Sequence, residues 1–476
     1  MLKKMLVISL AFIGLVVGAG FASGQEVLQY FIAHGVTGLW GALLAAVLFA
    51  AAGFAILQLG SYFLAKEHSI VYDRVTHPIV SRLLDAFTSF TLFSIGFVML
   101  AGAGSNLNQQ FGVPVWAGSA LMALVVFAVG FLDVDKVTAV IGMLTPLVIV
   151  FVLGAAAYAL THADAPIADL DAAASHIRPA IGNWLLSSLN YVGLTLATGV
   201  SMALVMGGDL ADIKVAGRGG LVGGAAFGLL LLIAAASLFA QVGAVQGKPM
   251  PMLALVNAIH PVAGSVMAVV IFGMIFNTAI GMYYALAKRV TAQRPGLFVP
   301  AMAGLLVVGY ALSFVGFEAL IGHLFPLIGY VGMALVAVLI VAWAREREAI
   351  AVEHRRRMRI RDLVRRKWEL GRRFTRRDSD RLAGYLEDSN IDDTRLHRTM
   401  SRAAVEEIKA DDEAEVEPRW EAVEERWDAE RADVEAAALR AEAEASREGP
   451  ADGGTGPEPE GPDDEGPGRG EGLTAR

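Results

Sequence analysis

The residues able to do chemistry stand out here because so much around them is apolar. In VVGAGFASGQEVLQYF, Val16 to Phe31, three glycines (Gly18, Gly20 and Gly24) and one carboxylate, Glu26, interrupt an apolar run. A carboxylate buried in such a run is expensive and marks a functional position by default. Glycine weakens a helix, so the combination is costly unless it is used. Glu26 suits a proton carrier, or a gate or structural group in a water-filled vestibule. The glycines suit a break in a membrane helix, with Ala19, Ala22 and Ser23 keeping the surroundings small; Gly20 and Gly24 also read as a small-xxx-small packing pair. A second stretch, NWLLSSLNYVGLTLATGVSMALVMGG, carries Gly193 and Gly199 around Thr195 and Thr198. Tyr191 lies toward its outer end, where it can close over a ligand or simply pack at the interface. The nine histidines have no metal-ligand spacing, no Ser/His/Asp grouping is placed for nucleophilic catalysis, and cysteine is absent. The expected class is therefore a non-enzyme without cofactor.

The elements that must position these residues are membrane spans. The 476 residues are 55% hydrophobic and 18% charged, with mean hydropathy +0.53. From Met1 to Ala344 there are 13 Lys and Arg against 12 Asp and Glu; from Arg345 onward there are 26 against 35. Apolar runs of about 20 residues cross a bilayer core. The expected spans are residues 5 to 32, 37 to 65, 80 to 105, 114 to 132, 137 to 160, 184 to 207, 219 to 243, 262 to 287, 298 to 316 and 320 to 344. With the N-terminus inside, the inner loops receive Lys3, Lys4, Lys66, Arg74, Arg82, Lys136, Lys214, Arg218, Lys288, Arg289 and Arg294, while the outer loops receive only Arg178 and Lys248. That asymmetry predicts a multi-pass protein of the plasma (cytoplasmic) membrane with both termini cytoplasmic. The start imitates a signal peptide, but the apolar pattern continues through VLQYFI and further spans follow. GAGFASG imitates a dinucleotide fingerprint, but that chemistry needs a soluble strand-turn-helix unit. Between the seventh and eighth spans, residues 249 to 261 are apolar yet too short to cross, and are expected to form an outer lid.

A helix broken at midplane exposes N–H groups that attract carboxylates and C=O groups that attract cations. The two glycine-marked stretches lie in the first and sixth of ten spans. These are corresponding positions in a five-plus-five arrangement, which is the pattern of a carrier's binding site. The predicted fold is all-α and polytopic, with about ten transmembrane helices in a five-plus-five inverted repeat and broken first and sixth helices.

VVGAGFASGQE resembles the first-helix motif of the YkvI family of putative amino-acid permeases, related to the amino acid, polyamine and organocation superfamily with its leucine-transporter-like fold; the resemblance covers residues 1 to 345. It implies a carboxylate cradle at Gly18, Ala19 and Gly20, formed by the N–H groups of Ala19, Gly20, Phe21 and Ala22. The sodium-binding members would place the carbonyls of Gly14 and Val17 opposite FGMIFNTAIGMYYA, where Asn277 and Thr278 are the oxygen donors. Those members show paired hydroxyls where this chain has Asn and Thr, so the coupling ion stays open between Na⁺ and H⁺.

After a transporter core over 1–345, three further segments are expected: a basic cytoplasmic segment over 346–400, a charged helical one over 401–447, and a disordered acidic tail over 448–476. The basic run from Glu353 to Arg381 suits anionic lipid headgroups; beside a bilayer, nucleic acid is not the expected partner. Trp420, Val423, Trp427 and Val434 form a helical stripe broken by Glu430, which leaves a coiled coil, self-association or a protein partner open. The functional expectation is a secondary active transporter of an amino acid or related small amine-bearing carboxylate, coupled to Na⁺ or H⁺. The alternative is a non-transporting, membrane-anchored interaction or signalling protein acting through its tail.

Overall fold

The apolar runs fold as helices in the computed structural model, which describes residues 2–66, 71, 78–130, 144–163, 165–291, 294–411 and 414–430. Arg74, Lys136, the side chain of Arg82, the stripe position Val434 and the segment 448–476 lie outside the described residues. The chain divides into two compact units, Met1–Trp420 and Glu421–Arg476; residues 421–430 of the second are helical. Among the described residues no strand forms, and one isolated antiparallel bridge joins Glu369 to Val416.

The first span is three short helices: α1 (Leu2–Val16), α2 (Ala19–Ser23) and α3 (Gln25–Tyr30). Then follow α4 (Val36–Phe63), α5 (Pro78–Phe111), α6 (Val115–Val129), α7 (Leu144–Thr161), α8 (Ile167–Ala174), α9 (Trp184–Gly208), α10 (Ile213–Ala240), α11 (Val242–Val245), α12 (Pro251–Ile259), α13 (Pro261–Val290), α14 (Phe298–Ser313), α15 (Phe317–Trp368), α16 (Arg376–Glu387) and α17 (Asp393–Lys409). Helices α4, α5, α9, α10, α13 and α15 are long and apolar enough to cross a membrane, so the protein is multi-pass. The shorter α6, α7 and α14 and the interrupted first stretch occupy the other expected positions.

The most extensive packing joins α4 to α10 and α9, α9 to α15, and α5 to α13, while α1 lies mainly on α10. Small residues permit the closest of these contacts: at Gly53, Gly220 and Gly224 a Cβ would run into the facing backbone of α4 or α10.

The first span is interrupted as expected, and twice. Gly18 is extended (φ −95°, ψ 178°), which separates α1 from α2. Gly24 takes the left-handed conformation (φ 80°) between α2 and α3. A Cβ at Gly24 would sit 2.9 Å from the amide nitrogen of Met252, so this glycine also lets α12 close over the break. The sixth span corrects the expectation of a second break: α9 is one continuous helix from Trp184 to Gly208. Its glycines serve packing instead. A Cβ at Gly193 would lie 2.5 Å from Met333 N and 2.6 Å from Gly329 O of α15, and one at Gly199 would lie 3.1 Å from Leu15 of α1. The Thr195 and Thr198 hydroxyls donate to Tyr191 O and Thr195 O, both at 2.8 Å, within the helix.

Helix α15 runs 52 residues without interruption, carrying the tenth span past Ala344 and on to Trp368. Its extension is held by α16 and α17. Arg357, fully buried, donates to Glu353 (2.9 Å) and to the carbonyls of Ser61 (2.7 Å) and Tyr62 (2.8 Å), capping the end of α4. Asn390 donates to the same Tyr62 carbonyl at 3.1 Å, and Arg395 donates to Leu64 O. Lys4 pairs with Glu406 at 2.9 Å. Much of the basic run is thus neutralised internally, with Arg361 on Glu407 (2.7 Å) and Arg365 on Asp411 (2.6 Å).

Candidate functional site

The end of α1 leaves its last carbonyls, and the start of α2 its first N–H groups, without intrahelical partners. Beside this gap lies a cavity of about 260 Å³. Gly14, Val17, Gly18, Ala19 and Gly20 form its wall on the first span, and Glu26 reaches it from α3. Thr195 and Thr198 line it from α9, and Asn277 and Thr278 from α13. The break in α1 is therefore turned inward, toward other helices, and not toward lipid.

The remaining expected site residues stand outside this lining. Phe21 is buried with its ring 5.4 Å from Phe227, and the Ser23 hydroxyl closes back on Gly20 O at 2.7 Å. Ala22 is buried and its N–H donates to Gly18 O at 3.1 Å, which removes it from the expected cradle, and Gly24 faces α12. Tyr191 is buried in an aromatic cluster with Tyr30 (5.5 Å), Phe31 (5.0 Å) and Phe49 (6.1 Å). Gly193 faces α15. Sequence reading missed the apolar walls: Ile95 and Met99 of α5, Leu194 of α9, Met274 and Met282 of α13, and Phe325 of α15, together with Thr145 and Gly281. Ile95 and Met99 are four residues apart, as are Met274 and Thr278, so helical spacing from a known lining residue finds the α13 set. Nothing in the α5 sequence marks its face.

Glu26 is the single ionisable side chain among the cavity's lining residues. Its carboxylate rests against Gly20, where an added Cβ would collide with it. It has neither an ion pair nor a hydrogen bond among the described residues. Across the cavity, Asn277 Oδ1 is buried without a hydrogen-bond partner among the described residues. The Thr278 hydroxyl donates to Met274 O at 3.1 Å, which leaves its lone pairs available. Together with the carbonyls at the end of α1, these oxygens are hard, neutral donors of the kind that suits a small monovalent cation. No group of three His, Cys, Asp or Glu able to hold a metal ion occurs among the described residues.

The cavity continues toward the face that carries α16 and α17. A second cavity of about 260 Å³ shares Thr198 and Met282 with the first and reaches Thr88, Thr91, Ser201 and, in the last turn of α13, Arg289. The opposite side is closed by polar ties. Tyr30 donates to Asn190 Oδ1 (3.2 Å), and Asn190 donates to Pro326 O (2.9 Å) within α15. Ser187 donates to Tyr30 O (2.7 Å), and Gln29 to Glu318 O (3.1 Å). The Gln109 side chain bonds both the N–H and the C=O of Met250, each at 2.9 Å, holding the start of α12 to α5. Among the described residues, the geometry is a central cavity that extends toward one face and is bounded by polar ties on the other.

No family model matches the chain. It is 26% identical over 347 residues to the uncharacterized membrane protein YkvI of Bacillus subtilis (strain 168), a match covering 72% of this chain and 97% of the relative. It is 25% identical over 336 residues to the uncharacterized protein YyaD of the same organism, covering 70% and 95%. Similar solved structures include the inward-facing conformation of Mhp1, at 12% identity and TM-score 0.47 over 71% of this chain and 76% of that one. A manganese transporter from Eremococcus coleocola, in complex with an aromatic bis-isothiourea substituted compound, gives 14% identity and TM-score 0.39 over 86% and 94%.

Proposed function

We propose that this multi-pass membrane protein, similar over most of its spans to YkvI, is a secondary active transporter of an amino acid or related small amine-bearing carboxylate. The observation that carries the reading is the interrupted first span, turned onto an internal cavity that extends toward one face. A peptide gap inside a bilayer is tolerated where it is buried in protein or lines a cavity, and such gaps bind solute and ion at the midplane. The pairing of two breaks, on which the sequence argument leaned, is absent, so the reading rests on the first span alone.

In this reading the N–H groups at Ala19 and Gly20 take the cargo's carboxylate. The coupling ion is Na⁺ at Gly14, Val17, Asn277 and Thr278, or H⁺ on Glu26. The face toward which the cavity extends is cytoplasmic by the distribution of lysine and arginine. Alternating access then requires breaking the ties of Asn190, Gln29 and Gln109 and closing the path past Thr198. The test is uptake of radiolabelled amino acids into proteoliposomes holding the full chain, under an imposed Na⁺ or H⁺ gradient. Gradient-dependent accumulation is expected. Failure of every amino acid under both gradients would remove the carrier reading and favour the alternative, a non-transporting protein acting through its cytoplasmic helices.

A further inference from the structure

A zwitterionic cargo needs a partner for its ammonium as well as for its carboxylate. In a site built from two broken helices, released carbonyls serve the cation, but here α9 is continuous from Trp184 to Gly208 and keeps its own carbonyls occupied. The two hydroxyls that α9 presents, Thr195 and Thr198, donate back onto that helix and offer only neutral lone pairs. Helix α13 is continuous as well, from Pro261 to Val290. The carbonyls at the end of α1, Asn277 Oδ1 and the Thr278 hydroxyl are neutral acceptors, and Glu26 is the one anionic group lining the cavity; its carboxylate lies at the break beside Gly20 and has neither a cation nor a hydrogen bond among the described residues. A carboxylate placed in a low-dielectric site without a partner is costly, and a bound cation removes that cost. Apolar side chains also line the cavity: Ile95, Met99, Leu194, Met274 and Phe325.

We infer that Glu26 is the residue that reads the cargo's amine, and that the cargo is a small molecule with one primary ammonium group on an apolar body. The ammonium sits at the Glu26 carboxylate, the body lies against Ile95, Met99, Met274 and Phe325, and any carboxylate it bears faces the start of α2. The inference rests on the carrier reading and gives Glu26 to the cargo, leaving the coupling ion to other groups.

The test uses three probes of one shape on the purified full chain: L-leucine, 3-methylbutylamine, which lacks the carboxylate, and 4-methylpentanoate, which lacks the ammonium. Titration calorimetry is expected to show L-leucine binding to the wild type. Glu26→Gln should weaken L-leucine and 3-methylbutylamine at least tenfold while leaving 4-methylpentanoate unchanged or tighter. Glu26→Asp, which keeps the charge, should restore the preference for amines. Equal loss for all three probes, or no loss, would overturn the inference. So would a Glu26→Gln protein that keeps its amine preference but loses its dependence on a proton gradient, which would make Glu26 the proton carrier. If none of the probes binds while another amino acid is accumulated in proteoliposomes, the amine-on-apolar-body cargo is wrong and the carrier stands. If nothing is accumulated, the carrier reading itself has failed.

Discussion

Gly20→Ala separates the fold from the site, because the two respond in opposite directions. Gly20 lies within α2 with ordinary helical backbone, so alanine fits the chain there and should stabilise it by about 0.5–1 kcal/mol. The added methyl, however, falls where the Glu26 carboxylate now rests. The carboxylate is the far end of a flexible side chain, so it can swing away with little strain on the fold. What is lost is its position in the cavity. A hydrogen bond to a charged group contributes about 1.5–3 kcal/mol, which corresponds to roughly a 10- to 150-fold weaker Kd for an ammonium held there. Melting of the unliganded protein and calorimetric titration with L-leucine measure the two effects separately. Gly304→Ala is the control, since a Cβ there meets nothing within 4 Å. A Gly20→Ala protein that melts normally and binds L-leucine within twofold of the wild type would refute the placement of the ligand at Glu26.

Other substitutions probe the frame around the site. Gly193→Ala forces α9 away from the backbone of α15 at Met333 and Gly329, and overpacking of that kind should cost about 1–3 kcal/mol in a melting experiment; an unshifted melting temperature would mean that α9 opens at this point after all. Arg357→Met leaves Glu353 with Arg356 and Ser389 but removes its buried partner and uncaps the end of α4, a loss of about 1.5–3 kcal/mol, and Arg357→Lys should rescue little because a compact ammonium does not reproduce the guanidinium's fork of donors. Burial, with Lys367 and Arg398 nearby, pulls the His397 imidazole from its ordinary 6.5 down to about 4. The unfolded chain therefore binds the extra proton first, so its contribution to stability is complete above pH 6.5 and is lost progressively as pH falls toward 4. Melting temperatures measured across that window should fall with acid, and His397→Gln should flatten the slope.

The spans were legible because hydrocarbon demands long apolar runs, and hydropathy follows that demand residue by residue. The first break was legible because glycines and a carboxylate coincide at Gly18 to Glu26, where a plain packing glycine needs no charge nearby. The sixth span misled for the complementary reason. Gly193 and Gly199 carry the same composition as a break, and only the facing backbone of α15 and the Leu15 side chain of α1 reveal that the missing side chains make room for helices. The apolar walls of the cavity were hidden because Ile95, Met99 and Phe325 look like any other residue of a membrane helix until the neighbouring helices are in place. Arg357 was hidden inside a run of arginines that reads as a solvated basic face, since its burial depends on where α4 ends.

The uninterrupted passage of α15 out of the membrane makes it a mechanical pointer. From Arg345 to Trp368 the rod extends about 36 Å, so a tilt of about 5° within the bilayer displaces its far end by about 3 Å. Arg357 couples that swing to the end of α4 through the carbonyls of Ser61 and Tyr62. A spectroscopic label near Trp368, introduced into a chain with no native thiol to compete for it, would register any change in tilt of the membrane-embedded half.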